Sequence, residues 1–558
     1  MPRKNRFWRR FAQVLTGIIL VLLIGIIYIV RVSSTHPPVI ADDSATKWQR
    51  TENGNNLFTL QNSWFRKSKS GLYELYTEGE PFERGVVNGK LTKELVQLQE
   101  DYFNEQINKM VPSHFYQHFL KYVIGWFNRD LVQYVSLEDK QEIYGISLSA
   151  SSKYEYIGNN YQRILNYHAA HDIGHALQNL ALVGCTSFGT WGSRSADSTL
   201  IIGRNFDFYV GDHFAENKIV SFENPLQGYK FMSVTWGGFI GVVSGMNEKG
   251  LTVTINADKS EIPSGAATPV SLVAREILQY AQNISEAKEI AGKRKMFVSE
   301  SFLIGSAQDN KAIVIEKTPD AISVYDPGSN QIICANHFQS NYLRQLSSNQ
   351  IQIRQSASDY RYRRTKELLS AVGKNTPGIT AGILRDRRGL ENTDIGTGNE
   401  KALNQMIAHH SIIFEPSKRR VWVSTSPWQL GEYVCYDLDK VWSLRGMKTD
   451  REIAESSLNI PADSFLLTKE YQQFQLYRAA RKTLLEGGSV NSDSLIALNP
   501  NYYQSYELAG NEEFKRKNFS KAVVYYRLAL SKEIATKTEE TDIRNHITKA
   551  EETLNKTR

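Results

Sequence analysis

Five cations, Arg3, Lys4, Arg6, Arg9 and Arg10, precede an almost unbroken apolar run from Phe11 to Val30. A helix of that length, rising about 1.5 Å per residue, crosses a hydrocarbon core about 30 Å thick. The positive flank predicts a cytoplasmic N-terminus and an extracytoplasmic remainder, periplasmic or on the cell surface in a bacterium. We therefore read residues 1–10 as a basic cytoplasmic tail and 11–30 as a single-pass signal anchor. A cleavable signal peptide is the runner-up: the run is long for one, and Val32-Ser33-Ser34 is a poor cleavage site.

Beyond the anchor the pattern changes three times. Residues 31–55 are polar, with Pro37-Pro38, and read as a linker. From 56 to 184 the spacing is largely helical, as in Leu91 to Met110, with an aromatic-rich stretch from Phe115 to Trp126. From 185 to 455 short apolar runs dominate: Val183 to Phe188, Thr199 to Gly203, Ile219 to Phe222, Phe231 to Thr235, Thr252 to Ile255, Ala312 to Ile315 and Arg420 to Ser424. Helical spacing alternates with some of them, at Pro269 to Ala281 and Tyr360 to Ala371. Periodicity alone thus predicts an α+β domain here. From about 464 to 558 it is helical again.

Composition narrows the classes. A chain of 558 residues predicts two to four domains, and 41% hydrophobic residues mark it as globular. The net charge of +7 is mostly the N-terminal cluster, so no basic face for nucleic acid is implied. Three cysteines, Cys185, Cys334 and Cys435, do not make a disulfide scaffold. A Cys334–Cys435 bridge is open to the chain in an oxidising compartment, with two buried thiols the preferred reading.

The densest chemistry lies at Gly184-Cys185-Thr186-Ser187 followed by Gly203-Arg204-Asn205-Phe206-Asp207. A hairpin over this span brings a thiol, a cation and a carboxylate together, the makings of an activated nucleophile. Downstream come Gly245-Met246-Asn247-Glu248-Lys249-Gly250, Thr254-Ile255-Asn256-Ala257, Ala335-Asn336-His337-Phe338 and Tyr360-Arg361-Tyr362-Arg363-Arg364. In this order the motifs resemble the N-terminal-nucleophile (Ntn) hydrolases of the penicillin acyltransferase type, with acid ceramidase, N-acylethanolamine acid amidase and choloylglycine hydrolase as more distant relatives.

That resemblance covers roughly Gly184 to Leu438. It implies a four-layer αββα sandwich over 185–455, preceded by a pro-segment at 56–184 that is released by self-cleavage and retained as a small subunit. It implies cleavage between Gly184 and Cys185, after which the Cys185 thiol attacks a linear amide and its new α-amine serves as base. Arg204 is expected to favour the thiolate and Asp207 to orient the amine. Asn256 and Asn336 are expected as oxyanion donors, whose loss costs about 3–4 kcal/mol. Arg361 completes the set, with Arg363 and Arg364 as rivals. No cofactor or metal is expected. The expected substrate is a small amide or N-acyl lipid-like molecule, with the membrane met through the N-terminal helix. The competing class is an inactive Ntn-like envelope protein that serves as a scaffold.

Two further features stand apart. His168, His171 and His175 share one helical face, a weak metal-site pattern without the glutamate of a zinc-protease motif. Asn499-Pro500-Asn501-Tyr502 through Ala529 resembles a tetratricopeptide repeat, with Tyr471 to Leu498 as a degenerate partner unit. Such a unit implies a protein partner, or a cap packed on the catalytic domain.

Overall fold

The computed structural model describes residues 3–54, 56–110, 113–177, 184–209, 211–259 and 265–557. The chain has a mixed α/β body. Among the described residues one sheet has eleven strands and a second has six. Side chains alternate across each strand, so each sheet presents two apolar faces.

The inner faces meet in a shared core. Ile202, Ile412 and Val421 of the smaller sheet pack with Val234, Met246, Leu303 and Val314 of the larger. On the outer face of the larger sheet, Val253, Ile255, Phe302 and Ile304 lie under the helices Val270–Tyr280 and Ile284–Lys293. On the outer face of the smaller sheet, Phe188, Ile201 and Ile413 lie under Leu369, Ala381 and Leu384. Those three belong to the helices Ser358–Ala371 and Pro377–Leu384.

The stretch before Gly184 departs from the helical expectation. Leu57–Leu60, Ser63–Lys67 and Tyr73–Gly79 are strands that extend the larger sheet, the last pairing parallel to Ile219–Pro225. Aromatic and β-branched residues at Phe58, Trp64, Phe65, Tyr73 and Tyr76 suit a pleated, half-buried surface. Periodicity missed them because each run is short and interrupted. Helices then follow, ending in Asn160–Leu177. Residues 57–79 of the segment before the cysteine are therefore part of the body's own sheet.

Residues 31–55 also differ from a free linker. Gln162 donates to Ser33 O at 2.6 Å, and Ala45 is buried with Phe82 and Val86. Ahead of them, Arg3–Val32 is one helix, and Trp8–Val32 within it is long and apolar enough to cross a membrane.

Cys334 and Cys435 are free thiols, both buried. Their strands, Gln331–Cys334 and Tyr433–Asp437, are the two edges of the six-stranded sheet. Five strand spacings of about 4.8 Å separate them, far beyond the reach of a disulfide.

The C-terminal region is helical, from Lys469–Leu485 to Lys537–Thr557. Within it Tyr503–Lys515 and Phe519–Leu530 pack as a hairpin, where Gly510 lets the Tyr526 ring come close. This region sits against the body. Asn499 donates to Thr397 O at 2.8 Å, Asn399 donates to Glu533 O at 2.8 Å, and Met406 and Leu430 join its core.

Candidate active site

The hairpin Thr186–Thr190 to Ile201–Phe206 runs antiparallel, pairing Thr186 with Asn205 and Ser187 with Arg204. Cys185 precedes the first strand and Asp207 follows the second, so the two ends meet. The Gly184 N–H donates to the Asp207 carbonyl at 3.0 Å, and Cys185 Sγ lies 3.9 Å from the same oxygen.

Arg204 sits on the inner face beside the thiol, its Nη2 3.7 Å from Cys185 Sγ. The guanidinium is fully buried and held by acceptors: Nη1 donates to Val243 O at 2.6 Å and to Ser244 Oγ, and Nη2 donates to Ile255 O. Its charge also lies 4.5 Å above the Phe206 ring. Ser244 Oγ in turn is 2.8 Å from His410 Nε2.

Arg204 does not bring the thiol to the thiolate. Burial pushes Cys185 up to about 11, and the pull of Arg204 only partly offsets it. The charge of Arg204 thus acts in the expected direction, and the burial of the sulfur outweighs it. Burial also raises the Asp207 carboxyl to about 7, against the attraction of Arg361 and Arg204. Neither oxygen of Asp207 has a hydrogen-bond partner among the described residues. An ionised carboxylate in that position lacks the donors that normally accompany a buried charge.

Arg361 closes the far side. It donates from Nη2 to Asn336 Oδ1 at 2.6 Å, from Nη1 to Glu400 O at 2.9 Å and from Nε to Thr186 Oγ1 at 3.3 Å. Its two rivals face elsewhere: Arg363 pairs with Asp359, and Arg364 with Asp386 and Glu367.

The two asparagines belong to the same cluster, but their amides are engaged. Asn256 Nδ2 donates to Cys334 O and Ala335 O, both at 3.1 Å, while its Oδ1 accepts from Ser187 at 2.6 Å. Asn336 Nδ2 donates to Ala257 O at 2.8 Å. In the uncut chain these bonds tie neighbouring strand ends together.

Sequence reasoning missed several members. Thr186 and Ser187 lay inside the first motif and Ser244 next to a later one, so their positions were visible and their roles were not. His410 and Gln405 carried no local signal. Glu300, at the start of its strand, is fully buried, neither oxygen has a hydrogen-bond partner among the described residues, and burial holds its carboxyl well above the ordinary range.

Among the described residues no cluster of three or more His, Cys, Asp or Glu could hold an ion. The side chains of His171 and His175 lie outside the described residues. Both ring nitrogens of His168 are engaged: Nδ1 is 2.8 Å from Ile164 O, and Nε2 accepts from the Ile240 N–H at 2.9 Å.

Residues 194–426 match the family model described as acyl-coenzyme A:6-aminopenicillanic acid acyl-transferase. An uncharacterized protein of Archaeoglobus fulgidus is 24% identical over 279 residues, covering 46% of this chain and 45% of the relative. Protein dcd1B of Dictyostelium discoideum is 22% identical over 271 residues, covering 45% and 51%. The chain thus spans about half the length of these relatives. Among solved structures, a Caenorhabditis elegans N-acylethanolamine-hydrolyzing acid amidase ortholog aligns at 17% identity and a TM-score of 0.30, covering 42% of this chain and 93% of that one. A conjugated bile acid hydrolase from Clostridium perfringens aligns at 15% identity and a TM-score of 0.31, covering 46% and 93%. The body that carries the Cys185 cluster is therefore similar, over residues 194–426, to the acyl-transferase family of that model.

Proposed function

We propose that the protein is a self-activating cysteine Ntn enzyme that breaks or transfers across a linear amide bond, its body an αββα sandwich. The observation that carries this reading is the placement of Cys185 Sγ 3.7 Å from a buried Arg204, with Gly184 pinned to the Asp207 carbonyl. The family match over residues 194–426 supports the same chemistry.

In this mechanism the Cys185 thiol attacks the Gly184 carbonyl carbon. The C–N bond to Cys185 breaks, the thiol proton passes to that nitrogen, and the preceding chain is left on sulfur as a thioester. Water releases it as a carboxylate and restores the thiol. The new α-ammonium of Cys185 then meets the Asp207 carboxylate, whose oxygens have no hydrogen-bond partner among the described residues. In its neutral form the amine takes the thiol proton when a substrate amide is attacked. Arg204 supplies positive charge beside the sulfur, and the Arg361–Asn336 pair frames the acyl group.

The Asn256 and Asn336 amides act as oxyanion donors once their present carbonyl partners shift. Asn336 is the better placed, since Asn256 donates twice to backbone. Anchoring by the helix Trp8–Val32 places the body at a membrane on its extracytoplasmic side and favours N-acyl, lipid-like amides. The C-terminal helices, a tetratricopeptide-like hairpin, offer a surface for a protein partner.

The test is intact mass and N-terminal sequencing of the detergent-purified chain, wild type beside Cys185→Ala. A fragment beginning at Cys185 in wild type alone is the expected outcome. An uncut chain in both overturns the self-cleavage reading and leaves the inactive scaffold.

A further inference from the structure

A side chain outside every motif reaches the bond that this reading would cleave. Gln405 is 4% exposed, and its Nε2 donates to the Gly184 carbonyl oxygen at 2.7 Å. That oxygen is the one on which negative charge collects when a nucleophile adds to the Gly184 carbon. A neutral amide donor already within hydrogen-bond distance, in a buried site, is what a forming oxyanion requires.

The placement is over-determined. Asn205, on the strand that carries Arg204, donates to Leu403 O at 3.0 Å. The Asn404 N–H donates to Asp386 O at 2.9 Å, and Asn404 Oδ1 accepts from the Met406 N–H at 3.1 Å. Met406 itself is held at a φ of 59°, a left-handed conformation that an unbranched side chain adopts only at a cost. This tight turn aims Gln405 at Gly184. The glycine is matched to it: a Cβ there would lie 2.3 Å from Gln405 Nε2 and 2.4 Å from Oε1. Only a residue without a side chain lets the amide come this close.

We propose that Gln405 is a catalytic residue of self-cleavage, the donor that stabilises the oxyanion formed on Gly184 as Cys185 Sγ adds to its carbonyl carbon. The inference rests on the self-cleavage reading. In the step it serves, the S–C bond forms, the carbonyl π electrons move onto oxygen and Gln405 Nε2–H takes up that charge. Collapse breaks the C–N bond to Cys185, and the former thiol proton leaves on the new amine. Gln405 holds no proton that moves, so its contribution is the same for the thioester's hydrolysis, when the oxyanion forms a second time on the same atom.

The test follows the appearance of the Cys185 fragment by mass after cell-free synthesis of the full chain, in wild type, Gln405→Ala, Gln405→Met, Gly184→Ala and the Gly184→Ala/Gln405→Ala pair. Gln405→Met keeps the length and volume of the side chain and removes the donor. Loss of one oxyanion donor commonly slows a reaction by about 10²–10³-fold, so at least tenfold slower cleavage is expected in both Gln405 variants. Gly184→Ala displaces the same amide, so the double variant should be no slower than the slower single one. Melting of the same Gln405 variants in a Cys185→Ala background should stay cooperative and close to that of Cys185→Ala alone.

Cleavage of Gln405→Met at the wild-type rate overturns the inference while leaving self-cleavage standing. Slowed cleavage accompanied by loss of cooperative melting assigns Gln405 to packing and overturns it too. An uncut wild-type chain removes the self-cleavage reading and this inference with it.

Discussion

Arg361, on the helix Ser358–Ala371, and Asn336 are both buried and joined by a hydrogen bond of 2.6 Å from Nη2 to Oδ1. The same guanidinium reaches Glu400 O and Thr186 Oγ1, so one planar fork ties three segments to the residue after Cys185. A lysine has a single nitrogen and cannot reproduce that spread. Hydrogen bonds to charged groups are worth about 1.5–3 kcal/mol, so Arg361→Lys should slow amide turnover about 10- to 100-fold. Arg363→Lys, at an exposed pair with Asp359, should leave it unchanged. Turnover of the best N-acyl amide from a chain-length screen measures both.

Asp207 makes the uncut chain pH-sensitive in one direction. Burial raises its carboxyl from 3.8 to about 7, so the folded chain binds this proton more tightly than the unfolded one. Its contribution to stability is therefore greatest below the unfolded pKa and is lost as pH rises from about 4 through 7. Three units correspond to about 4 kcal/mol at most. In a Cys185→Ala background, Asp207→Asn should raise the melting temperature at pH 8 and give little gain near pH 4. Thermal melts across that range decide it.

His168 acts in the opposite sense. Burial lowers it from 6.5 to about 4, with both ring nitrogens engaged. The unfolded chain takes up its proton first on acidification, so stability present above 6.5 is lost as pH falls towards 4, by about 3 kcal/mol. His337 is pushed to about 4 as well, and His409 and His410 lie well below the ordinary range. One substitution should therefore remove only part of the acid sensitivity. His168→Gln keeps an acceptor for the Ile240 N–H and should flatten the fall in melting temperature between pH 6.5 and 5, measured on Cys185→Ala chains.

The C-terminal helices should matter to the site. Tyr502 donates to Glu400 Oε1 at 3.1 Å and packs against Gly396, where a Cβ would lie 2.4 Å from Tyr502 N. Glu400 supplies the carbonyl that Arg361 holds, and burial raises its own carboxyl to about 7. Tyr502→Ala removes a buried ring and one partner of a buried acid, costing about 3–5 kcal/mol. Both stability and self-cleavage rate should fall, as melts and the fragment time course would register. A stable variant that cleaves at the wild-type rate would mean that these helices are independent of the site.

The hairpin around Cys185 was legible because its chemistry is local. Glycine before cysteine, an apolar strand, a turn and a second strand with Arg204 and Asp207 at its end lie within about twenty-five residues. The strands at 57–79 were not legible, since each is short and they join the body only through the pairing of Tyr73–Gly79 with Ile219–Pro225, far along the chain. Gln405 was invisible for a similar reason. Nothing near it in sequence marks a catalytic donor, and the turn that aims it is held by Asn205 and Asp386.

The sequence alone determined the kinds of groups present and their order: an apolar N-terminal helix, one cysteine after glycine, and the arginine, aspartate and asparagines that follow. These depend on residue identity and short-range periodicity, which a linear chain displays directly. Only the tertiary structure decided which of Arg361, Arg363 and Arg364 lies beside the cluster, and that Cys334 and Cys435 sit at opposite sheet edges. It also decided that burial pushes the Cys185 thiol up. Arg204 in the sequence promises a thiolate, but desolvation depends on everything packed around the sulfur, and burial outweighs one neighbouring charge.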